Sequence, residues 1–337
     1  MTNFKQTIKT GVAAILAFVS TLALTQPVWA QVPTKTIYFL SGIKDHVGAE
    51  GTGRHEVRLD LVVLQHCIDS IANVKGVKII TKFIDKRTAL NVDDIKDASA
   101  IIVECSSVTS TTQTQTRTHP LIPPPPLNGK DYDRATLKYF NQIDSLQKAG
   151  MGIMIMHWGI ATDGAPGSVN AHYMQWFGQA ALSGYTQNPL GFWQITPIKA
   201  SEKHPILRGV QPWFYKDEIF SRLNVIPNDP HRTDLLMGQS EQTNQSEPGS
   251  PTGVISPRCV ASAYENGLQR GVLWGGMDYH SALTNENYLR FVMNEILWVA
   301  GIDVPKGGAK TNAKQLQYAK QRPDPFDKYK QTPIATK

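Results

Sequence analysis

The 337-residue sequence predicts an α/β domain built on a doubly wound, mainly parallel sheet. Short continuous apolar runs alternate with longer segments whose apolar residues recur at helical spacing, the order of βαβ units. One run, Ile153–Met156, leads directly into His157-Trp158-Gly159. Ligands of open α/β sheets bind beyond the carboxyl ends of the strands. A sharp turn there, with a small residue two positions on, lifts one side chain into the crevice. The hydrolase nucleophile elbow has a Gly on each side of its nucleophile; here only Gly159 is present, and the elbow residue is a histidine. Histidine suits a base, an acid or a metal ligand better than a nucleophile.

In chain order, Thr36–Leu40 is the first strand, and residues 43–53 form a Gly-containing loop with Lys44, Asp45 and His46. Arg54 to Asn73 repeats Val57, Leu61, Leu64, Ile68 and Ile71, a helix. Val77–Thr81 is the second strand and Ala100–Cys105 the third. Residues 109–126, rich in Thr, Gln and Pro, exclude helix and central strand and read as a long loop or lid. Asp131–Ala149 is a helix with Leu137, Phe140, Ile143 and Leu146 on one stripe, stopped by Gly150. Residues 160–235 are an aromatic-, Gly- and Pro-rich elaboration with a short helical piece at His172–Phe177. Strands return at Phe192–Ile198 and Leu235–Gly238, and residues 239–258 read as a polar loop. Cys259–Glu265 and Gly271–Gly275 form a pair turned at Asn266-Gly267. Asn287–Ala300 closes the domain as an amphipathic helix ended by Gly301.

The ends differ from the body. Lys5 and Lys9, the apolar run Val12–Leu24 and Val28-Trp29-Ala30 read as a signal peptide over residues 1–30, too short to span a bilayer. The expected compartment is periplasmic or secreted, with no stable membrane span after cleavage. Of the net charge of +6, residues 1–30 carry +2 and residues 306–337 carry +6, leaving −2 on 31–305. The high pI therefore belongs to the ends, so no nucleic-acid face is implied; the tail reads as basic and flexible. Cys67, Cys105 and Cys259 are odd in number, and buried free thiols are expected for the first two.

Polar groups gather where loops leave the carboxyl edge: His46 and His55-Glu56, then His157, then Asp217-Glu218, then Gly275-Gly276-Met277-Asp278-Tyr279-His280. Three or four of these converging would make a His/carboxylate site for acid/base work or a divalent ion. Read singly, His46 and His55 are solvated loop groups, and Glu56 is a first-turn acid favoured by the helix dipole. Asp217-Glu218 is surface charge, except that Phe214, Tyr215 and Phe220 around it suggest burial. Of the tryptophans in the middle region, Trp158, Trp176, Trp193, Trp213 and Trp274, most read as core, and Trp158 and Trp176 are the aromatics that would carry affinity in a sugar-binding protein. Arg208 in His204-Pro-Ile-Leu-Arg-Gly-Val210 reads as a residue that positions backbone.

The ordered set Gly42…His46…Gly53-Arg-His55-Glu56-x-Arg58, His157-Trp158, Tyr173-x-x-Trp176-Phe-Gly178, His204-Pro-Ile-x-Arg208-Gly-Val210, Asp217-Glu218, Ala261-x-Ala-Tyr-Glu265, Gly275-Gly276-x-x-x-His280 and Asn294-x-Ile-x-Trp298-x-Ala-Gly301-x-x-Val304-Pro305 resembles the ThuA-like (trehalose utilisation) family over residues 31–305. The resemblance implies a flavodoxin-like, class I glutamine amidotransferase-like fold and a role in carbohydrate metabolism on a disaccharide or 3-keto-sugar derivative. The elbow cysteine of true amidotransferases is replaced by His157, so glutamine amidotransfer is excluded. On this reading His157, Glu218 and His280 are catalytic. His46, His55, Trp158, Asp217 and Asp278 bind substrate, and His46, His55, His157 and His280 are candidate ligands of a divalent metal such as zinc. The reaction class—hydrolytic, eliminating or isomerising—stays open, as does the oligomeric state, and a non-catalytic sugar-binding protein on the same fold is the alternative. The chain departs from the family at Val57 and Met277, where many members carry histidine, and in the insertion 109–126.

Overall fold

A computed structural model of the chain describes residues 32–44, 49–72, 74–85, 90–106, 119–123, 132–162 and 167–316. The expected signal peptide, His46, most of the Thr/Pro-rich segment and residues 317–337 lie outside them. Strands β1 (Thr34–Ser41), β2 (Lys78–Asp85), β3 (Ala100–Glu104) and β4 (Gly152–Met156) follow the predicted alternation with helices α1 (Val57–His66) and α2 (Arg134–Lys148). After β4 come α3 (Gly167–Phe177), β5 (Gln179–Ala180), β6 (Leu190–Pro197), β7 (Trp213–Glu218), β8 (Asn224–Val225), β9 (Arg232–Thr243), β10 (Ile255–Asn266), β11 (Gln269–Trp274) and α4 (Glu286–Val299).

Nine strands make one sheet in the order β2-β1-β3-β4-β11-β10-β9-β6-β7. The first five are parallel; the other four join by antiparallel pairing. Thus the chain leaves the parallel half after β4, builds the antiparallel extension, and returns through the β10–β11 hairpin to place β11 beside β4. The predicted polar loop at 239–258 is shorter than expected, because β9 runs to Thr243 and β10 starts at Ile255. Strand β7 has no clean apolar alternation and was not foreseen from sequence.

Period-two alternation gives the sheet two cores. Ile37, Phe39, Ile102, Met154, Met156 and Trp274 join the core that holds α1 and α4. Tyr38, Leu40, Ile101, Val103, Ile153 and Ile155 join the core of α2 and α3. Strand β4 is buried on both faces, as its continuous apolar run requires. Gly152 admits the closest approach, for a Cβ there would lie 2.0 Å from the Val299 carbonyl oxygen of α4. Helix ends carry the expected chemistry: Asp133 and Asn285 accept backbone N–H bonds at the starts of α2 and α4. Gly301 takes the left-handed step after α4, at φ 65°.

Helix α1 begins at Val57, three residues after the expected start at Arg54. The carboxylate of Glu56 accepts from the backbone N–H of Gly51 and Gly53 and from Lys44 Nζ, at 2.9, 2.7 and 2.6 Å. Burial raises the Glu56 pKa, but these donors outweigh it and hold the group below its usual range. Glu56 is therefore a clamp on the Gly51–Gly53 loop rather than a first-turn acid, and Arg54 and His55 remain outside the helix. Trp176, Trp193, Trp213 and Trp274 are core. Arg208 bonds Asp303 and the Val304 carbonyl, so it fixes backbone as expected. None of the three cysteines is in a disulfide, and burial pushes the Cys67 and Cys259 thiols up to about 12. The basic tail departs from expectation at its start: Ala309 and Ala313 are buried, and Asn294 of α4 accepts from the Ala309 N–H at 2.8 Å.

Candidate active site

The register brings the ends of β3, β4 and β11 to one edge, with Glu104 opposite Met156 and Trp274 opposite Met156. His157 is the next residue after β4, and the Gly275–Asp278 turn follows β11. The loop before α1 reaches the same place by pairing with that turn. The His55 N–H donates to the Asp278 carbonyl at 2.9 Å, the His280 N–H donates to the Gly53 carbonyl at 3.0 Å, and Arg54 and Tyr279 form an antiparallel bridge.

The result is a cluster of His55, His157 and Asp278. The two imidazole Nε2 atoms are 3.3 Å apart, and Asp278 Oδ1 lies 2.9 Å from that of His55 and 3.7 Å from that of His157. All three residues are buried. His55 and His157 hold φ of 50° and 47°, and Met277, beside Asp278, holds 91°. Non-glycine residues in such conformations cost on the order of 1–3 kcal/mol each and gather at functional sites.

Two further groups open the cluster outward. Arg54 Nε donates to Asp278 Oδ2 at 2.7 Å, and its NH2 lies 3.4 Å from Glu218 Oε2. Asn188 Nδ2 donates to Glu218 Oε1 at 2.7 Å. The side chains of Arg54 and Glu218 are 16% and 14% exposed, against 0–3% for the cluster, so this pair is the side of the site nearest solvent. Trp158 meets the His55 ring edge-to-face at 4.9 Å between centroids, and Phe220 meets His157 at 5.4 Å.

The environments push the titrating groups apart, the pattern of an acid/base site. Burial, then the neighbouring His55, lowers His157 to about 3, so it is a neutral imidazole. Burial works against the charge on Asp278, yet the bond from His55 and the fields of His157 and Arg54 hold it at about 2. Burial first, and the Asp278 charge second, raise Glu218 to about 7.

The nominated residues separate as follows. His55, His157 and Asp278 converge, with Glu218 and Trp158 at their border. Asp278 is central rather than peripheral. Asp217, nominated as a substrate contact, is buried and accepts from the N–H of Glu218, Met277 and Asp278 and from Tyr288 OH. It positions the turn that carries Asp278. His280 is not among the three residues that converge; its Nδ1 is bonded to the buried Asp60 of α1. Arg54 and Asn188 were missed. Arg54 had a signal, its place beside His55 in a Gly-rich loop; Asn188 had none.

No family model matches the chain, and no curated protein does. Several solved structures are similar to it. A ThuA-like protein from Parabacteroides merdae is 11% identical with a TM-score of 0.48, covering 83% of this chain and 98% of that one. A second, from Bacteroides uniformis, is 11% identical with a TM-score of 0.45, covering 82% and 94%. These two bear the name of the family that the sequence motifs resemble. A carbohydrate deacetylase is 11% identical with a TM-score of 0.40, covering 79% of this chain and 32% of that one. Activity belongs to sites rather than folds, so function is read from the side chains. Among the described residues no helix is long and apolar enough to cross a membrane.

Proposed function

We propose that the chain is an exported enzyme of carbohydrate metabolism whose active centre is the cluster at the tip of β4, and that it hydrolyses a disaccharide or 3-keto-sugar derivative. The sugar class rests on the ThuA-like sequence resemblance. The enzymatic part rests on one observation: His55, His157 and Asp278 converge within 3.7 Å of one another, with Glu218, which titrates at about 7, tied to their border through Arg54. A pKa near the working pH is what a general base requires. Glu218 would take a proton from the attacking water and return it to the leaving oxygen. Asp278 would keep His55 oriented, and Arg54 would couple Asp278 to Glu218. The five parallel strands, in the order β2-β1-β3-β4-β11, are read here as the flavodoxin-like half, with His157 at the elbow.

The test is turnover of reduced and 3-keto disaccharides by the purified chain, followed by chromatography of products. Product formation that is lost in His157→Asn and Glu218→Gln supports the proposal. Saturable sugar binding without product supports a non-catalytic binding protein instead.

A further inference from the structure

We infer that His55 Nε2, His157 Nε2 and Asp278 Oδ1 together form a site for one divalent cation of the zinc class. This deepens the enzymatic reading, on which its catalytic meaning rests; the binding itself stands on geometry. The three separations, 3.3, 2.9 and 3.7 Å, put the point equidistant from the three atoms about 1.9 Å from each, against about 2.0–2.2 Å for zinc bonds to imidazole and carboxylate. A zinc-sized ion therefore fits slightly out of the plane of the three atoms, with little movement of any side chain. Calcium, at about 2.3–2.6 Å and with six to eight oxygen ligands, does not fit this set.

Each donor is already turned for the task. His157 Nδ1 faces the Gly275 carbonyl oxygen at 3.4 Å. That places its N–H on Nδ1 and leaves the Nε2 lone pair directed at the cluster, the usual outer support of a metal-bound histidine. Asp278 gives Oδ2 to Arg54 and keeps Oδ1 for the centre. Both histidines hold a left-handed backbone with φ near 50°, a conformation that the surrounding structure must support, and their Nε2 atoms lie 3.3 Å apart. Two imidazoles and one carboxylate select zinc, cobalt or iron over magnesium. His280 is not in the ligand set, because among the described residues only His55, His157 and Asp278 bring donor atoms within 4.8 Å of one another there. A three-ligand set leaves a coordination position open, where a bound cation would lower the pKa of water. Glu218, outside the ligand set, then remains the proton acceptor.

The competing occupant of the same space is a proton on His55 Nε2, shared with Asp278 at 2.9 Å. Calorimetric titration of the full chain, stripped with chelator, separates the two. Zn²⁺ and Co²⁺ are expected to bind at one equivalent per chain, at least about 1,000-fold tighter than Mg²⁺. His157→Asn and Asp278→Asn are expected to weaken Zn²⁺ at least about 100-fold, since loss of outer support alone costs 10–100-fold. Asn tolerates the left-handed backbone at position 157, and circular dichroism checks that both variants fold. Glu218→Gln is expected to bind like wild type. X-ray absorption of the wild-type cobalt form, expected to report two imidazoles, needs no variant to fold. Absence of saturable Zn²⁺ and Co²⁺ uptake, full retention by both ligand variants, or a spectrum without imidazole ligands overturns the site. Metal binding without turnover of any sugar leaves it standing and overturns the enzymatic reading.

Discussion

Replacing Glu218 by Gln is expected to stabilise the metal-stripped protein while abolishing its chemistry. Raising the Glu218 pKa from 4.5 to about 7 corresponds to about 3 kcal/mol against the charged form. The sign follows from linkage. The folded state binds more protons than the unfolded state between pH 4.5 and 7, so stability falls across that window as pH rises. Below it both states are neutral at this site and the penalty is absent; above it the whole penalty is present. Gln removes the penalty but turns an NH₂ toward Arg54, or away from the Asn188 donor, at a cost of about 1 kcal/mol. The net expectation at pH 8 is a gain of about 2 kcal/mol, which crosses zero at about pH 5 and becomes a loss of about 1 kcal/mol at lower pH. Urea unfolding of both proteins at several pH values measures it. In the turnover assay the same variant should lose about 10²–10⁴-fold, together with the acid limb near pH 7. A Gln variant less stable than wild type at every pH would refute the reasoning, for it would mean that Glu218 is an ionised partner of Arg54.

Other substitutions probe the frame. Arg54→Met removes the 2.7 Å bond to Asp278 and should weaken Zn²⁺ about 10–100-fold in calorimetry, with the fold kept. Glu104→Gln should change urea stability by less than about 1 kcal/mol at pH 7; burial, and then the Asp60 charge, raise Glu104 well above its usual range and so favour its uncharged form. Gly152→Ala should cost about 3 kcal/mol or more in the same measurement, because its Cβ would meet the Val299 carbonyl at 2.0 Å.

The parallel half was legible because its signal is local. Buried strands read as apolar runs and helices as stripes, and the run Ile153–Met156 leads straight into His157. The antiparallel extension was less legible: Trp213–Glu218 becomes a strand through its pairing with β6, not through its own pattern. The site was half legible for a related reason. Sequence order could nominate imidazoles and acids at loop positions but not the directions of their side chains. Asp278 and His280 are two residues apart, yet a 3-10 turn begins at His280, which goes to Asp60 while Asp278 faces His157. Glu56 delays the start of α1, and that delay leaves His55 in the left-handed conformation that the cluster needs. Such directions come from long-range pairing of the Gly53–His55 loop with the Asp278–His280 segment, which no local window contains.

The most direct measurement is anomalous diffraction at the zinc edge from crystals of the full chain soaked in Zn²⁺. The account predicts one strong peak within bonding distance of His55 Nε2, His157 Nε2 and Asp278 Oδ1, with Glu218 close by but unbound. A peak seated instead on His280 and Asp60, or no peak between the two histidines, would contradict it.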